Sequence, residues 1–288
     1  MATKITQLAK IISENAELIE KHLQSKGEPE PSFEINAPKK PNTADEAEGA
    51  RMKAISAANE FSDLLKGPAD LIRYDWTENS SLRLLLRFDI PRLVPVGKEV
   101  PFSDVAARTK LPERDVKRIL RHAMCRHYFH EPRKGFVVHT ALSQLLAEDE
   151  HQQAIASTVT DVLTPALMKT ADAVKAHPGS EEAEEAGFSQ YFNSGKSMWE
   201  TFSENPEMGK KFGVFIGEAG ANESLLEAVD WKGKIVDVGG SHGDAMIDVL
   251  RRHEGVTQAV VQDLGDVVAA GKERMPKELE GRLVLQEQ

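Results

Sequence analysis

The sequence has almost no cysteine and no long hydrophobic run. Its single cysteine, Cys125, cannot form an intramolecular disulfide, and one thiol also excludes a cysteine-rich metal site. No stretch of about 18 apolar residues occurs, which excludes a transmembrane helix. Residues 1–24 have neither an apolar segment nor a small-residue cleavage site, so we predict no secretory signal. These absences favour a cytoplasmic protein without a metal site and without a membrane partner.

The composition is that of a folded globular protein with an uneven charge. Hydrophobic residues make up 40% and charged residues 28% of the 288 positions, which is ordinary for soluble domains. This length suggests two domains. The net charge is −10, yet residues 81–140 hold 13 Lys and Arg against 6 Asp and Glu, a net +7. A basic block in an acidic chain indicates either a partner surface or a nucleic-acid face.

Residues 1–43 are predicted to be a helix followed by an arm. Residues 3–23 carry apolar side chains at helical spacing. Residues 27–41 contain few large apolar side chains and are rich in proline, at Pro29, Pro31, Pro38 and Pro41. We therefore expect an extended arm that covers a neighbouring copy or frays. A helical pattern then runs from Ala44 to Leu65 and is broken at Gly67-Pro68.

Residues 44–145 contain the pattern of a winged helix. Three helices and a strand–turn–strand unit are predicted at residues 81–91, 102–108, 113–127 and 128–138. Ser103 is the candidate N-cap of the second helix. The order and spacing of the helices and the two strands together predict the winged-helix fold.

A DNA-binding winged helix would use four basic side chains of its third helix, Arg114, Lys117, Arg118 and Arg121. Binding through phosphate contacts would then depend steeply on salt. Glu113 and Asp115 flank the end of the helix that would enter the groove, and the rest of the chain is acidic. We therefore regard nucleic acid as the less favoured partner.

Residues 146–230 are predicted to be mainly helical linking segments. An acidic loop at 178–185 is interpreted as a solvated turn. An aromatic cluster follows between Phe188 and Phe215, and most of it is expected to be core, with one or two rings facing a ligand pocket.

Residues 231–288 carry the pattern of a nucleotide-binding fold. Three β-branched runs at 234–238, 257–262 and 282–285 alternate with helical segments. The first run leads into the sequence Gly239-Gly240-Ser241-His242-Gly243, and the second ends in Asp263. Strand, glycine turn, helix, strand ending in an acid, helix and strand make up the first βαβαβ half of a doubly wound, Rossmann-like sheet.

Two aspartates near the glycine turn, Asp237 and Asp263, indicate which ligand the turn would bind. A glycine turn at a helix N-terminus exposes backbone N–H groups to a ligand. Asp237, two residues before the first glycine, would repel the pyrophosphate of a dinucleotide but suits an amino group, such as that of S-adenosylmethionine. Asp263 is placed to accept hydrogen bonds from ribose hydroxyls. The alternative is an ordinary βα turn with a capping Asp.

The chain resembles the fungal branch of the plant-type (caffeate-like), S-adenosylmethionine-dependent O-methyltransferases. The resemblance covers residues 70–288. Its motifs are Ile235–Gly243, with Ser241 where many members have a third glycine, Asp263-Leu264, Arg118–Met124, Val138–Ser143, Pro178–Ser180 and Tyr191–Asn193.

The resemblance implies a set of roles. The cofactor S-adenosylmethionine would be held at its methionine part by Asp237, Gly239, Gly240, Ser241 and Gly243, and at its ribose by Asp263 with Leu264. Helices around Phe192, Met198 and Trp199 would roof the pocket. The methyl acceptor would be the hydroxyl of a small, secondary-metabolite-type molecule. The winged-helix domain would form a homodimer.

The sequence also departs from the family. Members use a histidine base beyond the fourth strand, and neither His242 nor His253 stands at that position. We therefore predict no catalytic residue and expect a C-terminally truncated chain, in which losing a general base would cost about 10²–10⁴-fold in rate. One alternative is a non-catalytic paralogue that acts by dimerisation. Another is a cyclase or pericyclic catalyst, which some members of the family have become.

Overall fold

The computed structural model describes residues 3–43, 46–72, 77–219 and 229–288 and divides into two compact units, Met1–Thr201 and Phe202–Gln288. The predicted helical residue Ala44 and the stretch 220–228 of the predicted linking segment lie outside the described residues. No helix in the described part of the chain is long and apolar enough to cross a membrane.

The first unit is mainly helical. Its helices are α1 (Lys4–Lys26), α2 (Glu46–Ile72), α3 (Glu78–Arg87), α4 (Ile90–Leu93), α5 (Phe102–Thr109), α6 (Glu113–Met124), α7 (Ala141–Glu148), α8 (Glu150–Thr158), α9 (Thr164–Met168), α10 (Thr170–Ala176) and α11 (Gly187–Phe192). A π-helical turn (Val159–Leu163) joins α8 to α9, and a short 3₁₀ turn spans Ala183–Glu185. Two short strands, β1 (Val100–Pro101) and β2 (Phe136–Val137), pair antiparallel. Helix α12 (Met198–Glu204) runs into the second unit.

Helices α1 and α2 pack against each other as a hairpin. Helix α1 begins where the Thr3 side chain accepts the Thr6 N–H, and it ends at Gly27, whose φ of 67° closes the last turn. Helix α2 kinks at Gly67, where φ is 68°. The predicted break at Gly67-Pro68 is therefore confirmed as a kink within one helical segment.

The proline-rich arm packs on its own chain, so the expectation that it frays is wrong, while contact with a neighbouring copy stays a prediction. The Ala141 N–H donates to the Phe33 carbonyl over 2.9 Å, and the Phe33 ring stacks on His127 with 3.9 Å between ring centroids. Asn36 and Gln144 exchange two hydrogen bonds, of 2.9 and 3.0 Å. These partners lie more than ninety residues from the arm in sequence, so local pattern could not reveal them.

The region predicted as a winged helix has a single apolar core, formed by α3 to α6 and the two short strands. Its fully buried members include Leu85, Phe102, Val116, Leu120 and Phe129. A buried core of this kind holds four helices and the small sheet together because each large apolar side chain contributes about 1.5–3 kcal/mol when buried.

Several predicted boundaries in this region are wrong. Helix α3 ends at Arg87 rather than near Pro91, because Asp89 takes a φ of 49° and Pro91 sits in the first turn of a new helix. Ser103 lies inside α5, whose N-cap is Pro101. The strand predicted near residue 130 is a single bridge between His130 and Val138, and β2 pairs instead with the unpredicted β1.

The second unit is a three-stranded parallel sheet with helices on one face. Helix α13 (Pro206–Ala219) precedes β3 (Gly233–Val238), α14 (Asp244–Arg252), β4 (Val256–Asp263), α15 (Gly265–Arg274), a 3₁₀ turn (Lys277–Leu279) and β5 (Leu283–Glu287). The strand order is β3-β4-β5. The predicted strand, helix and strand alternation of residues 231–288 is confirmed.

Alternation along the strands divides the sheet into two faces. Ala259, Val261, Leu283 and Leu285 point to one face and are buried together with Val249 and Leu250 of α14. On the opposite face, Val236 and Val238 are 53% and 63% exposed. The packed face fixes the register of the strands and thereby the positions of the residues at their carboxyl ends.

Candidate functional site

The predicted ligand residues of the second unit meet at the carboxyl edge of its sheet. Asp237 lies near the end of β3, and the glycine turn, residues 239–243, connects β3 to α14. Asp263 is the last residue of β4, directly beside β3. Parallel strands place their carboxyl ends at one edge, which is where ligands bind in open α/β sheets.

The glycine turn uses backbone conformations that few residues adopt. Gly239 and Gly243 have φ of 75° and 89°, and Ser241 has a φ of 54°. The Gly239 N–H donates to the Gln262 carbonyl over 2.7 Å, which ties the start of the turn to β4. Gly243 is the N-cap of α14, so the first N–H groups of that helix open toward the turn.

Asp237 lies directly beneath Gly240. A Cβ at position 240 would stand 2.5 Å from Oδ2 of Asp237 and 2.8 Å from Cγ1 of Val261. Only glycine therefore allows the turn to close over this carboxylate. Asp237 is half-buried. Burial, and secondarily the charge of Asp263, raise its pKa above the ordinary value for Asp.

No hydrogen-bond donor from the described residues reaches the Asp237 carboxylate. Its side-chain oxygens remain accessible to solvent, so a bound ligand can reach them. Asp237 is thus a half-buried acceptor, held in a cradle of backbone, that lacks a partner of its own chain among those residues. A ligand carrying an ammonium group would supply both the charge and the donors.

Asp263 is already hydrogen-bonded to backbone. Its Oδ2 accepts the Ser241 N–H over 2.8 Å, and its Oδ1 accepts the Leu264 N–H over 2.8 Å. An ionised carboxylate has about four acceptor sites, so both oxygens retain a lone pair for a ligand hydroxyl. Leu264 is 66% exposed beside it.

Sequence reasoning missed three residues that shape this edge. The Cα and carbonyl oxygen of His242 lie 3.2 Å from where a Cβ at Gly271 would stand, so Gly271 lets α15 approach the glycine turn. A Cβ at Gly265 would lie 2.6 Å from Oε1 of Glu287, the residue that pairs with Asp263 across the strands. A glycine in the middle of a predicted helix was the available signal for Gly271.

The three predicted roof residues lie in a different part of the chain. Phe192 ends α11, where its ring packs on Phe188 with 4.6 Å between centroids. Met198 and Trp199 begin α12, and Trp199 is 64% exposed. All three belong to the first unit, and their role in a pocket stays a prediction.

Two further kinds of site can be compared with the described residues: a metal site, which the sequence did not predict, and the less favoured DNA-binding face. No group of three or more His, Cys, Asp or Glu side chains in the described ranges could hold a metal ion. Within the predicted winged helix, Arg121 is engaged by Glu131 through two bonds of 2.7 and 2.6 Å, and Arg114 contacts Asp115 at 3.2 Å. Two of the four arginines and lysines proposed for DNA are therefore already paired with acids.

The fold and the site define a class: a helical unit followed by a Rossmann-like unit with an acidic, glycine-lined carboxyl edge. O-methyltransferase AMT9 of Alternaria alternata is 38% identical over 295 residues, which cover 98% of this chain and 69% of that protein. The grayanic acid biosynthesis cluster O-methyltransferase of Cladonia grayi is 33% identical over 300 residues, covering 100% and 62%. The chain belongs to the family of fungal O-methyltransferases.

The solved structures agree on the fold. OxaC superimposes with a TM-score of 0.61 at 16% identity, over 99% of this chain and 70% of that one, and it has also been solved in complex with SAH and oxaline. No family model matches the chain. The chain spans 60% to 69% of the length of the first three relatives it matches.

Proposed function

We propose that the second unit binds S-adenosylmethionine and that the protein is an O-methyltransferase acting on a small-molecule hydroxyl of the secondary-metabolite type. Membership of the fungal O-methyltransferase family supports the reaction class. The observation that carries the proposal is the half-buried Asp237 carboxylate, cradled under Gly240 and without a donor from the described residues.

The residues at the edge fit the cofactor. Asp237 would accept hydrogen bonds from the ammonium group of the methionine part. The backbone of the turn, at Gly239, Gly240, Ser241 and Gly243, would lie close to that part of the ligand. Asp263 would accept the ribose hydroxyls through its remaining lone pairs, with Leu264 beside it. When bound, S-adenosylmethionine supplies a sulfonium methyl group for transfer to a nucleophile.

The chain's own residues at this edge position a ligand rather than move a proton. The second unit has two histidines: His242 lies inside the glycine turn, 3.5 Å from Ser241 Oγ, and His253 follows the C-terminal end of α14, and the family resemblance assigns the base to neither position. We therefore assign no general base among the described residues. Phe192, Met198 and Trp199 are proposed to line the acceptor pocket on the strength of the family resemblance alone.

Calorimetric titration of the purified chain with four ligands tests the cofactor. S-adenosylmethionine and S-adenosylhomocysteine (SAH) are expected to bind, whereas NAD⁺ and ATP are not, because their phosphates would lie at the glycine turn beside the negative charge of Asp237. Asp237→Asn should weaken SAH by about tenfold or more, since a hydrogen bond to a charged group is worth about 1.5–3 kcal/mol. Binding of NAD⁺ with SAH excluded would refute the proposal.

We also propose a homodimer. The sequence predicts its interface on the winged-helix domain, residues 44–145; we place it instead on the α1–α2 hairpin, of which only α2 belongs to that domain. Nine large apolar side chains are exposed there: Ile5, Ile11, Leu18, Met52, Ile55, Leu64, Leu65, Leu71 and Ile72. Over the described residues 77–158 no large apolar side chain is exposed. The hairpin also carries charges of both signs, as in Lys10–Glu14 and Lys66–Asp63, so two hairpins can pair without repulsion as a four-helix bundle.

Light scattering after size exclusion tests this interface. The unmodified chain should elute as a dimer, and the double variant Leu18→Glu, Leu65→Glu should elute as a monomer with unchanged helical content. Leu167→Glu, at a site that is 71% exposed outside the hairpin, is the matched control and should remain dimeric. A dimer that persists in the double variant would place the interface elsewhere.

A further inference from the structure

The Asp263 carboxylate accepts two backbone hydrogen bonds. Its Oδ2 accepts the Ser241 N–H at 2.8 Å from within the glycine turn, its Oδ1 accepts the Leu264 N–H, and each oxygen keeps a lone pair for a ligand. Ribose recognition does not require the Ser241 contact. The contact joins the residue proposed for the ribose to the segment proposed for the methionine part.

The Ser241 contact holds a conformation that the turn does not favour by itself. Ser241 has a φ of 54° in the left-handed region, which is sterically disfavoured for a residue with a Cβ. At the start of the turn, the Gly239 N–H donates to the Gln262 carbonyl over 2.7 Å. Further along, the backbone of His242 packs closely against Gly271. Between these two points, the side chain of Asp263 is the anchor for the peptide of Ser241.

We propose that Asp263 is a positioning residue for the glycine turn as well as a ribose acceptor. By holding the Ser241 N–H, it sets the turn in the form that closes over Asp237, and so it couples the two halves of the cofactor site. This inference rests on the proposed function. Beyond that function, we expect a substitution of Asp263 to weaken binding of the methionine part of the cofactor, although Asp263 itself is assigned to the ribose.

Titration with two ligands distinguishes the ribose-binding role of Asp263 from its role in positioning the glycine turn. SAH has both the adenosine and the amino-acid parts, whereas 5′-methylthioadenosine has the adenosine part only. Asp263→Ala leaves no side-chain oxygen to accept the Ser241 N–H. It is expected to weaken 5′-methylthioadenosine about tenfold, through the ribose, and SAH about 100-fold, because the turn is also released. Glu273→Ala removes a carboxylate from the last turn of α15, at the end of the helix away from the carboxyl edge of the sheet, and should change neither affinity by more than twofold.

The outcomes of these titrations are distinct. An equal loss for both ligands in Asp263→Ala would overturn the positioning role and leave Asp263 as a ribose acceptor only. If the unmodified chain binds neither ligand, the proposed function itself fails.

A measurement on the unmodified chain avoids any variant that fails to fold. Hydrogen–deuterium exchange of residues 239–243 is compared with and without 5′-methylthioadenosine. Because engagement of Asp263 by the ribose orders its bond to Ser241, exchange in the turn should slow several-fold although this ligand lacks the amino-acid part. Unchanged exchange in the turn, with the ligand shown to be bound, would overturn the proposal.

Discussion

Replacing Gly240 by alanine tests the steric basis of the cofactor site. The φ of Gly240 is outside the left-handed region, so the backbone accepts alanine and the effect is one of contact alone. The new methyl carbon would stand 2.5 Å from Asp237 Oδ2, 2.7 Å from its Cγ and 2.8 Å from Val261 Cγ1. Side-chain carbons do not approach so closely, so either the turn must lift or Asp237 must rotate away.

The magnitude follows from these contacts. Overpacking of this kind costs about 1–3 kcal/mol, and Val261 cannot yield easily because it is fully buried in the sheet core. If Asp237 rotates, the charged hydrogen bond to a ligand ammonium is lost, worth about 1.5–3 kcal/mol. We therefore expect SAH to bind about 10- to 150-fold more weakly.

Urea unfolding and SAH titration measure the two effects. The matched control is Gly213→Ala in α13, where a Cβ would meet nothing within 4 Å. This substitution should stabilise the chain by about 0.5–1 kcal/mol, as alanine does in a helix interior, and leave SAH affinity unchanged. A Gly240→Ala variant with unaltered SAH affinity and stability would refute the proposed closeness of Asp237 to the turn.

Three further predictions concern the first unit. Burial lowers the pKa of His139, so the folded state resists protonation of this side chain, and the stability of the chain should fall as the pH drops below about 6.5, the pKa in the unfolded state. Urea unfolding at pH 7.5 and 5.5 should show a smaller loss of stability in a His139→Gln variant than in the unmodified chain. The hydrogen bonds from Arg121 lower the pKa of Glu131 to about 2, so the destabilisation by Glu131→Gln should be present at neutral pH and vanish between pH about 4.5 and 2; a difference that survives at pH 2 would exclude the ion pair as its cause. Gly187→Ala would place a Cβ 2.6 Å from a backbone carbonyl oxygen and should lower unfolding stability by about 1–3 kcal/mol, whereas a neutral result would mean that α11 can shift away from its neighbours.

The second unit was largely predictable because its signals are local. Each strand is a β-branched run, and each is separated from the next by a helix of ordinary length, so parallel pairing follows from topology. The approach of Asp237 to Asp263 follows in turn, since both stand at the carboxyl ends of neighbouring strands. The bond from the Ser241 N–H to Asp263 could not be predicted, because it depends on the rotation of one peptide within the turn.

The first unit was less predictable because its decisive contacts are distant in sequence. The proline content of residues 27–41 describes a segment without regular structure, and it does not say what that segment packs against. The stacking of Phe33 on His127 joins positions that no periodicity connects. Likewise β1 is too short to show a strand pattern, and its second residue is a proline, which is tolerated on an edge strand.

The helices of the second unit show why its ligand edge is acidic. Helices α14 and α15 carry Asp244 and Asp266 in their first turns, and their last turns carry Arg251, Arg252, Lys272 and Arg274. Such placement stabilises each helix through its macrodipole. Because both helices begin at the carboxyl edge of the sheet, the same rule adds two negative charges beside Asp237 and Asp263 and sends the basic charges to the opposite edge. The arrangement that stabilises the helices therefore also disfavours phosphate-bearing nucleotides and favours a ligand with an ammonium and a sulfonium centre.

Neutralising Asp244 and Asp266 together should lower both the stability of the second unit and its preference for S-adenosylmethionine over ATP. If stability fell while that preference stayed the same, the charge at this edge would have no part in selecting the ligand.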